Sequence, residues 1–415
     1  MNKRRSRPNW FRIILLCLLV LAGAYVNRFV VADIAPIGVP TPTPTISPET
    51  LVAEAEQLFA AGKLVPAVEA YQQAIVSRPN DPATHIMLAR TLIFAGRYKE
   101  AQTSAEDALL LNPSNSMAFA VRAWALNFQG EYVDAEKDIL RALELDPNNA
   151  LAHAYYVEIL IDSGDDIEKA IEESRVALAL APNTIEAHRA RGYVLEVTGN
   201  YEEAIVEYEA AMAINKNIAD LWIAIGRNYR ILGDNNKAID YFSEAISLNP
   251  EDPLPNLFIS RTYATVGEFG KALQYAESAV TNNPADTNLR GNLGVMYYYN
   301  AYFPEAVEEL GYVVKGGLTK EGIQLEPIQL VPNLPARVAE YYYTYGFGLS
   351  RLNQCGEALQ IAQLIISRIP ADEYSVGKAN EIISKCQENL TSPQATPLTS
   401  PTPDSTTQAE ATPTP

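Results

Sequence analysis

The sequence predicts an all-α protein built as a solenoid of helical hairpins, each about 34 residues long. Three observations predict it: an alanine that recurs at a constant spacing, a second alanine seven residues after the first, and glycines and prolines that recur in the same register. The first series comprises Ala67, Ala101, Ala135, Ala170, Ala204, Ala238, Ala272 and Ala306. Self-similarity at a fixed period indicates a repeat architecture in which each unit packs on its neighbours.

Each period has the features of two antiparallel helices joined by a tight turn. Glycine ends the first helix, because it adopts a positive φ without strain, at positions 62, 96, 130, 164, 199, 233 and 267. The paired alanines share one face of the second helix, where small side chains allow close packing. Proline closes most units, because it lacks the N–H needed to continue a helix. A single inserted residue lies between Gly164 and Ala170, most simply in the Asp165-Asp166 turn.

These features resemble the tetratricopeptide repeat, with its pattern Trp-x2-Leu-Gly-x2-Tyr, then Ala-x3-Phe, then Pro. The sixth unit matches it at Trp222, Ile225, Gly226, Tyr229, Gly233, Ala238, Phe242, Ala245 and Pro250. Eight repeats begin near residues 48, 82, 116, 150, 185, 219, 253 and 287 and occupy 48–315, and a ninth occupies 339–370. The resemblance implies a right-handed superhelical solenoid of about nine hairpins.

Three further segments interrupt or follow the repeats. Residues 316–338 form a Pro-containing loop, either a functional loop or a tolerated insertion. Residues 371–390 read as a helix that caps the open end of the solenoid. Residues 391–415 are rich in Pro, Thr and Ser and are expected to be disordered.

The N-terminus predicts a membrane or export segment. Residues 1–12 are basic and expected in the cytoplasm, 13–31 form a membrane anchor or signal sequence, and 32–47 form a Pro/Thr linker. The uncleaved anchor is favoured, because the linker suits a stalk that holds the repeats outside the cytoplasm. Secretion after signal cleavage is the alternative.

Composition excludes several functions. The net charge of −18 leaves no basic surface for nucleic acid. Three cysteines and three histidines offer little for a metal centre, and His85, His153 and His188 occupy one packing slot. No catalytic set or cofactor fingerprint is present, so the sequence predicts neither an enzyme nor a site for a small-molecule substrate or cofactor.

The resemblance implies that the first helix of each hairpin lines a concave surface. Its exposed slots hold arginines and aromatic residues that we interpret as a peptide-binding groove: Arg189, Tyr193, Arg227, Arg230, Arg261, Tyr298, Tyr343 and Phe347. Arginine binds carboxylates through paired hydrogen bonds, so an acidic segment is the expected ligand. Alternatively, the arginines pair with neighbouring acids such as Glu196.

Cys355 and Cys386 are predicted to form a disulfide. They lie 15 residues before and 16 residues after Pro370, so in two antiparallel helices they reach about the same height. An oxidising compartment would preserve the bond. Two independent apolar cysteines are the alternative.

The leading hypothesis is a non-enzymatic, membrane-tethered, extracytoplasmic scaffold that binds a protein or peptide segment in its groove. The alternative is a passive component of envelope assembly or of the cell wall. Sequence-selective peptide binding would distinguish the first from the second.

Overall fold

A computed structural model describes residues 46–332 and 336–391, with residues 14, 15, 18–22 and 25. Helical hairpins follow one another along these ranges, and repeat n consists of helices α(2n−1) and α(2n). The first helices are α1 (Pro48–Ala60), α3 (Pro82–Phe94), α5 (Ser116–Phe128), α7 (Ala150–Ser163), α9 (Ile185–Val197), α11 (Ala219–Ile231), α13 (Pro253–Thr265), α15 (Thr287–Tyr299) and α17 (Ala336–Arg351). The second helices are α2 (Leu64–Ser77), α4 (Tyr98–Leu111), α6 (Tyr132–Leu145), α8 (Ile167–Leu180), α10 (Tyr201–Ile214), α12 (Asn235–Leu248), α14 (Phe269–Asn282), α16 (Phe303–Lys315) and α18 (Cys355–Arg368). The capping helix α19 (Glu373–Thr391) follows, and the predicted all-α solenoid is confirmed.

The recurring small residues have the roles that the period predicts. No alanine of the two series is more than 1% exposed, so each lies where neighbouring helices approach most closely. The seven turn glycines have φ between 73° and 83°. In repeats 8 and 9 the equivalent turn residues are Ala301 and Asn353, with φ of 62° and 59°. The turn geometry therefore persists where the glycine is lost.

The fourth residue of several first helices anchors the preceding loop. Trp222 donates its indole N–H to the carbonyl oxygen of Lys216 at 2.7 Å. His188 Nε2 lies 2.9 Å from the carbonyl oxygen of Pro182, six residues before it. Histidine can take the place of tryptophan at this position, because both rings carry an N–H that reaches the carbonyl oxygen six residues earlier.

The period is interrupted at two places. In repeat 4 the extra residue lies in the predicted turn, where Asp166 caps α8 by accepting a hydrogen bond from the Lys169 N–H. Between repeats 8 and 9, β1 (Gly317–Leu318) pairs antiparallel with β2 (Gln324–Leu325) in a short ribbon. This loop packs onto the solenoid, since the Ile328 N–H donates to the Val313 carbonyl oxygen at 2.9 Å.

The ninth repeat begins earlier than predicted. Helix α17 starts at Ala336 rather than near Ala339, because its first turn is stabilised by an ion pair between Arg337 and Glu340 and by burial of Val338. The capping helix spans Glu373–Thr391, within two residues of the predicted 371–390.

The terminal predictions fall mainly outside the described residues. The basic segment 1–12, most of the segment 13–31, the linker up to residue 45 and the tail 392–415 lie beyond the part of the chain that the structure describes. Among the described residues, no helix combines the length and the apolar character that a membrane crossing requires.

The first repeats contact the middle of the chain. Asn217, in the loop after repeat 5, donates its side-chain N–H to the carbonyl oxygen of Ala60 in α1 at 2.9 Å. Arg90 in α3 donates to Glu186 in α9 at 2.6 Å, across 96 residues of sequence. The superhelix therefore curves tightly enough for repeats 1 and 2 to contact repeat 5 and the loop that follows it.

Candidate peptide-binding surface

The concave side of the first five repeats is filled by its own side chains. Phe94 contacts both Phe59 and Trp124, with ring centroids 5.4 Å and 5.3 Å apart. Trp124 stacks on Tyr155 at 4.3 Å, and both rings are fully buried. The Arg90 guanidinium lies over the Phe59 ring at 5.2 Å. These contacts form an aromatic core on the inner side of the first five repeats.

Arg189, predicted for the groove, belongs to this interior. Its guanidinium donates to Glu158 at 2.9 Å and pairs with Asp220 at 3.0 Å. It also lies over the Trp124 ring at 5.4 Å. Trp124 in turn donates its indole N–H to Glu158 at 2.7 Å. Burial raises the pKa of the Glu158 carboxyl to about 7, although Arg189 and Trp124 act to lower it.

Two more of the predicted groove residues also have internal partners. Tyr193 donates its hydroxyl to Asp162 at 2.6 Å, and Asn127 donates to the other oxygen of that carboxylate, also at 2.6 Å. Arg227 donates to Glu196 at 3.0 Å. For Arg227, the structure therefore agrees with the alternative that the groove arginines pair with neighbouring acids such as Glu196.

Arg230 and Arg261 are placed differently. Arg227 in repeat 6 and Glu196 in repeat 5 stand 31 residues apart, and Arg261 and Arg230 occupy the same two slots one repeat later. Between repeats 5 and 6 these two positions hold an anion and a cation. Between repeats 6 and 7 the same positions hold two cations, so Arg230 and Arg261 are brought together. The Nε atoms of Arg230 and Arg261 are buried without a hydrogen-bond partner among the described residues.

A third cation completes this group, the arginine cluster of Arg230, Arg261 and Arg337. Burial lowers the pKa of the Arg230 guanidinium, and the positive charges of Arg261 and Arg337 lower it further. Burial also lowers the pKa of Arg261, although the nearby Tyr341 acts to raise it. Arg337 pairs with Glu340. Within the described ranges, neither Arg230 nor Arg261 has a carboxylate at salt-bridge distance. Arg230 and Arg261 therefore hold positive charge on the concave wall of repeats 6 and 7 without an ion-pair partner among the described residues, and Arg337 of repeat 9 lies near them.

The predicted aromatic residues lie farther along the same wall. Tyr298, Tyr343 and Phe347 line an open cavity of about 680 Å³ between α15, α17 and α19. Tyr299 and Tyr374 line it as well and are 45% and 66% exposed. We call these five residues the aromatic groove. Five aromatic side chains that line one open cavity are typical of a surface that binds other molecules.

Cys355 and Cys386 are joined in the structure by a disulfide between α18 and α19, with their Cα atoms 5.4 Å apart. Cys355 is 7% exposed and Cys386 is fully buried. The bond attaches the capping helix, which forms one side of the aromatic groove, to repeat 9.

Sequence reasoning missed several residues of this surface. Arg337 lay in the predicted loop rather than in a helix, and Tyr374 lay in a helix treated only as a cap. Glu158 was not singled out, although it stands 31 residues before Arg189, the same separation as Glu196 and Arg227. Among the predicted groove arginines, that recurring offset identifies Arg189 and Arg227 as the two with a carboxylate partner one repeat earlier.

Comparison with known proteins agrees with the fold. Family models described as tetratricopeptide repeat match residues 86–150, 158–217 and 219–252. The chain therefore contains tetratricopeptide repeats, as the resemblance predicted. A search of curated proteins gave no significant match.

Solved structures of repeat proteins are similar at low identity. A chain of the APC/C hetero-tetramer Cut9-Hcn1 is 12% identical, with a TM-score of 0.58 over 89% of this chain and 82% of that chain. A tetratricopeptide repeat protein from Parabacteroides merdae is 17% identical, with a TM-score of 0.41 over 60% of this chain and 98% of that chain. Yeast Tom70 is 14% identical, with a TM-score of 0.43 over 83% and 96% of the two chains. The first of these supports the solenoid fold, and identity this low shows nothing beyond fold.

Proposed function

We propose that the chain is a non-enzymatic scaffold that binds an acidic segment of a protein partner on the concave wall of repeats 6–9. One observation carries the proposal: Arg230 and Arg261 present partly buried, unneutralised guanidiniums in a chain whose net charge is −18. Tetratricopeptide repeats provide a concave surface for this kind of recognition.

The chemistry of the arginine cluster favours a carboxylate ligand. A guanidinium offers a planar fork of N–H donors that matches the two oxygens of a carboxylate. Because the positive charge of Arg261 lowers the pKa of the Arg230 guanidinium, an anion placed between them relieves both the repulsion and the unsatisfied donors. A segment with an Asp or Glu side chain, or a free C-terminus, supplies that anion.

Charge reversal tests the arginine cluster directly. In Arg230→Glu and Arg261→Glu, we expect the affinity for acidic peptides to fall about 10- to 100-fold per site, since each charge-assisted hydrogen bond contributes about 1.5–3 kcal/mol. The salt dependence of binding should also fall. Binding is measured by fluorescence anisotropy with the strongest ligand from an array of labelled acidic peptides.

The matched control is Arg141→Glu, which reverses a charge that is 43% exposed on α6 and pairs with the exposed Glu144. It should bind like the wild type. Equal losses in the control and the cluster variants, or full binding by Arg230→Glu, would contradict the proposal. Binding only to whole envelopes, with no peptide selectivity, would instead support the passive envelope component.

We further propose that the N-terminal segment tethers the repeats to the outer face of a membrane. Five basic residues precede the apolar run that starts at Ile13, which favours an N-terminus inside the cell. Protease added to intact cells should therefore remove the repeats and leave a short N-terminal fragment. Full protection of the repeats would overturn this topology, and a mature N-terminus at Tyr25 or Asp33 would show cleavage and release.

A further inference from the structure

The aromatic groove forms one continuous row of rings. Tyr299 contacts Tyr298 with ring centroids 5.8 Å apart, and Tyr298 contacts Phe347 at 6.4 Å. Phe347 contacts Tyr343 at 6.4 Å, and Tyr343 contacts Tyr374 at 6.1 Å. The row runs from repeat 8 across repeat 9 to the capping helix. A row of aromatic faces with hydroxyls at its edge is the type of surface on which proline-rich segments bind.

The capping-helix side of the groove offers donors and free space. Lys378 and Lys385 line it, each paired with the acid three residues later, Glu381 or Glu388, and Asn380 adds a side-chain amide. A Cβ on Gly377, in the interior of this helix, would meet no atom within 4 Å. Glycine weakens a helix interior relative to alanine, and no internal contact of the described residues requires it at this position. It leaves room for an occupant of the groove to approach the helix backbone.

The chain itself supplies a segment of matching chemistry beside the groove. Helix α19 ends at Thr391, and the lining of the groove extends to Glu388, less than one turn earlier. The 24 residues that follow contain six prolines, two acids and no basic or aromatic residue. Proline-rich sequence of this kind favours the polyproline II conformation, whose backbone carbonyls accept hydrogen bonds from outside the segment.

We propose that residues 397–403, Pro-Leu-Thr-Ser-Pro-Thr-Pro, turn back along the capping helix and bind in the aromatic groove of the same chain. Along α19, Glu388 lies 14 residues after Tyr374, so this side of the groove is about 21 Å long at 1.5 Å per residue. Seven residues of polyproline II at about 3.1 Å each span about 22 Å. The five residues between Thr391 and Pro397 suffice for the reversal of direction.

The prolines and Leu398 would pack on the tyrosine and phenylalanine rings, while the tyrosine hydroxyls and lysine ammonium groups donate to the free carbonyls. Because the segment is tethered at Thr391, its effective concentration at the groove is on the order of millimolar. A weak contact is therefore enough to hold it there. This inference does not rest on the proposed function, because the arginine cluster forms no part of the groove lining.

Photo-crosslinking on the purified full-length chain tests the proposal. With Tyr374→p-benzoylphenylalanine, irradiation should yield crosslinks to residues 392–415 of the same molecule, located by mass spectrometry. The same substitution at Val76, which is 84% exposed on α2, provides the control. We expect at least tenfold more tail crosslinking from position 374, and a several-fold loss when Pro397, Pro401 and Pro403 are all replaced by alanine.

Equal tail crosslinking from positions 374 and 76 would overturn the proposal. So would a yield that the alanine replacements leave unchanged, or tail crosslinks between different molecules that increase with concentration. Crosslinks from position 374 only to other parts of the chain would also overturn it. None of these outcomes depends on Arg230 or Arg261, so failure here is distinguishable from failure of acidic-peptide binding.

Discussion

Replacing Glu158 by alanine is expected to lower the free energy of unfolding by about 3–5 kcal/mol, because it leaves buried cationic and N–H groups without their partner. Glu158 is only 3% exposed and accepts hydrogen bonds from both Arg189 and Trp124. Asp220 remains as the second partner of Arg189, at 3.0 Å, and limits the loss. Urea unfolding followed by tryptophan fluorescence measures the effect, because Trp124 lies at the altered site.

The control is Glu203→Ala on the exposed face of α10, which should change the stability by less than about 0.5 kcal/mol.

The pH dependence of stability gives an independent check. Because the pKa of Glu158 is raised to about 7 from 4.5, the folded state binds a proton that the unfolded state releases between these values. The stability of the wild type relative to Glu158→Gln should therefore decline as the pH rises from about 4.5 to about 7. A constant difference would contradict the assigned pKa.

Loss of the Cys355–Cys386 disulfide is expected to cost about 3–4 kcal/mol in the stability of the C-terminal end. The bond closes a loop with a sequence separation of 31, and the chain-entropy relation gives this magnitude for such a loop. Cys386→Ala should lower the unfolding midpoint of repeat 9 and the capping helix, as should reduction of the wild type. The reduced Cys386→Ala variant should then show no further loss.

Thiol counting on the denatured, unreduced chain tests the bond itself. The sequence has three cysteines, so the disulfide predicts one free thiol, that of Cys17. Three free thiols would rule the disulfide out.

Much of the fold follows from local sequence signals. A turn glycine such as Gly130 and a packing alanine such as Ala135 act within one hairpin and its immediate neighbour, so their spacing alone indicates their roles. The turns at Ala301 and Asn353 were not predicted, because there the geometry is imposed by the hairpins on either side rather than by the turn residue. The start of α17 was missed because a helix boundary after a proline-rich loop depends on packing of residues such as Val338.

The distribution of the groove residues depends on superhelical curvature, which no single repeat encodes. A small rotation between repeats accumulates until Arg90 reaches Glu186, 96 residues away, and this contact helps to close the concave side of the first repeats. Arginines at equivalent positions of successive repeats therefore do not have the same role. Arg227 faces Glu196, whereas Arg261 faces Arg230, and only the residue one repeat earlier distinguishes the two cases.

We expect ligands to bind on the concave wall of repeats 6–9 and not on the aromatic core of repeats 1–5. Hydrogen–deuterium exchange on the full-length chain, with and without the strongest acidic peptide, tests it most directly. Peptide binding should slow exchange in α11, α13 and α17, which carry the arginine cluster. Protection confined to α3 and α5, or to the outer helices α2, α4 and α6, would contradict it.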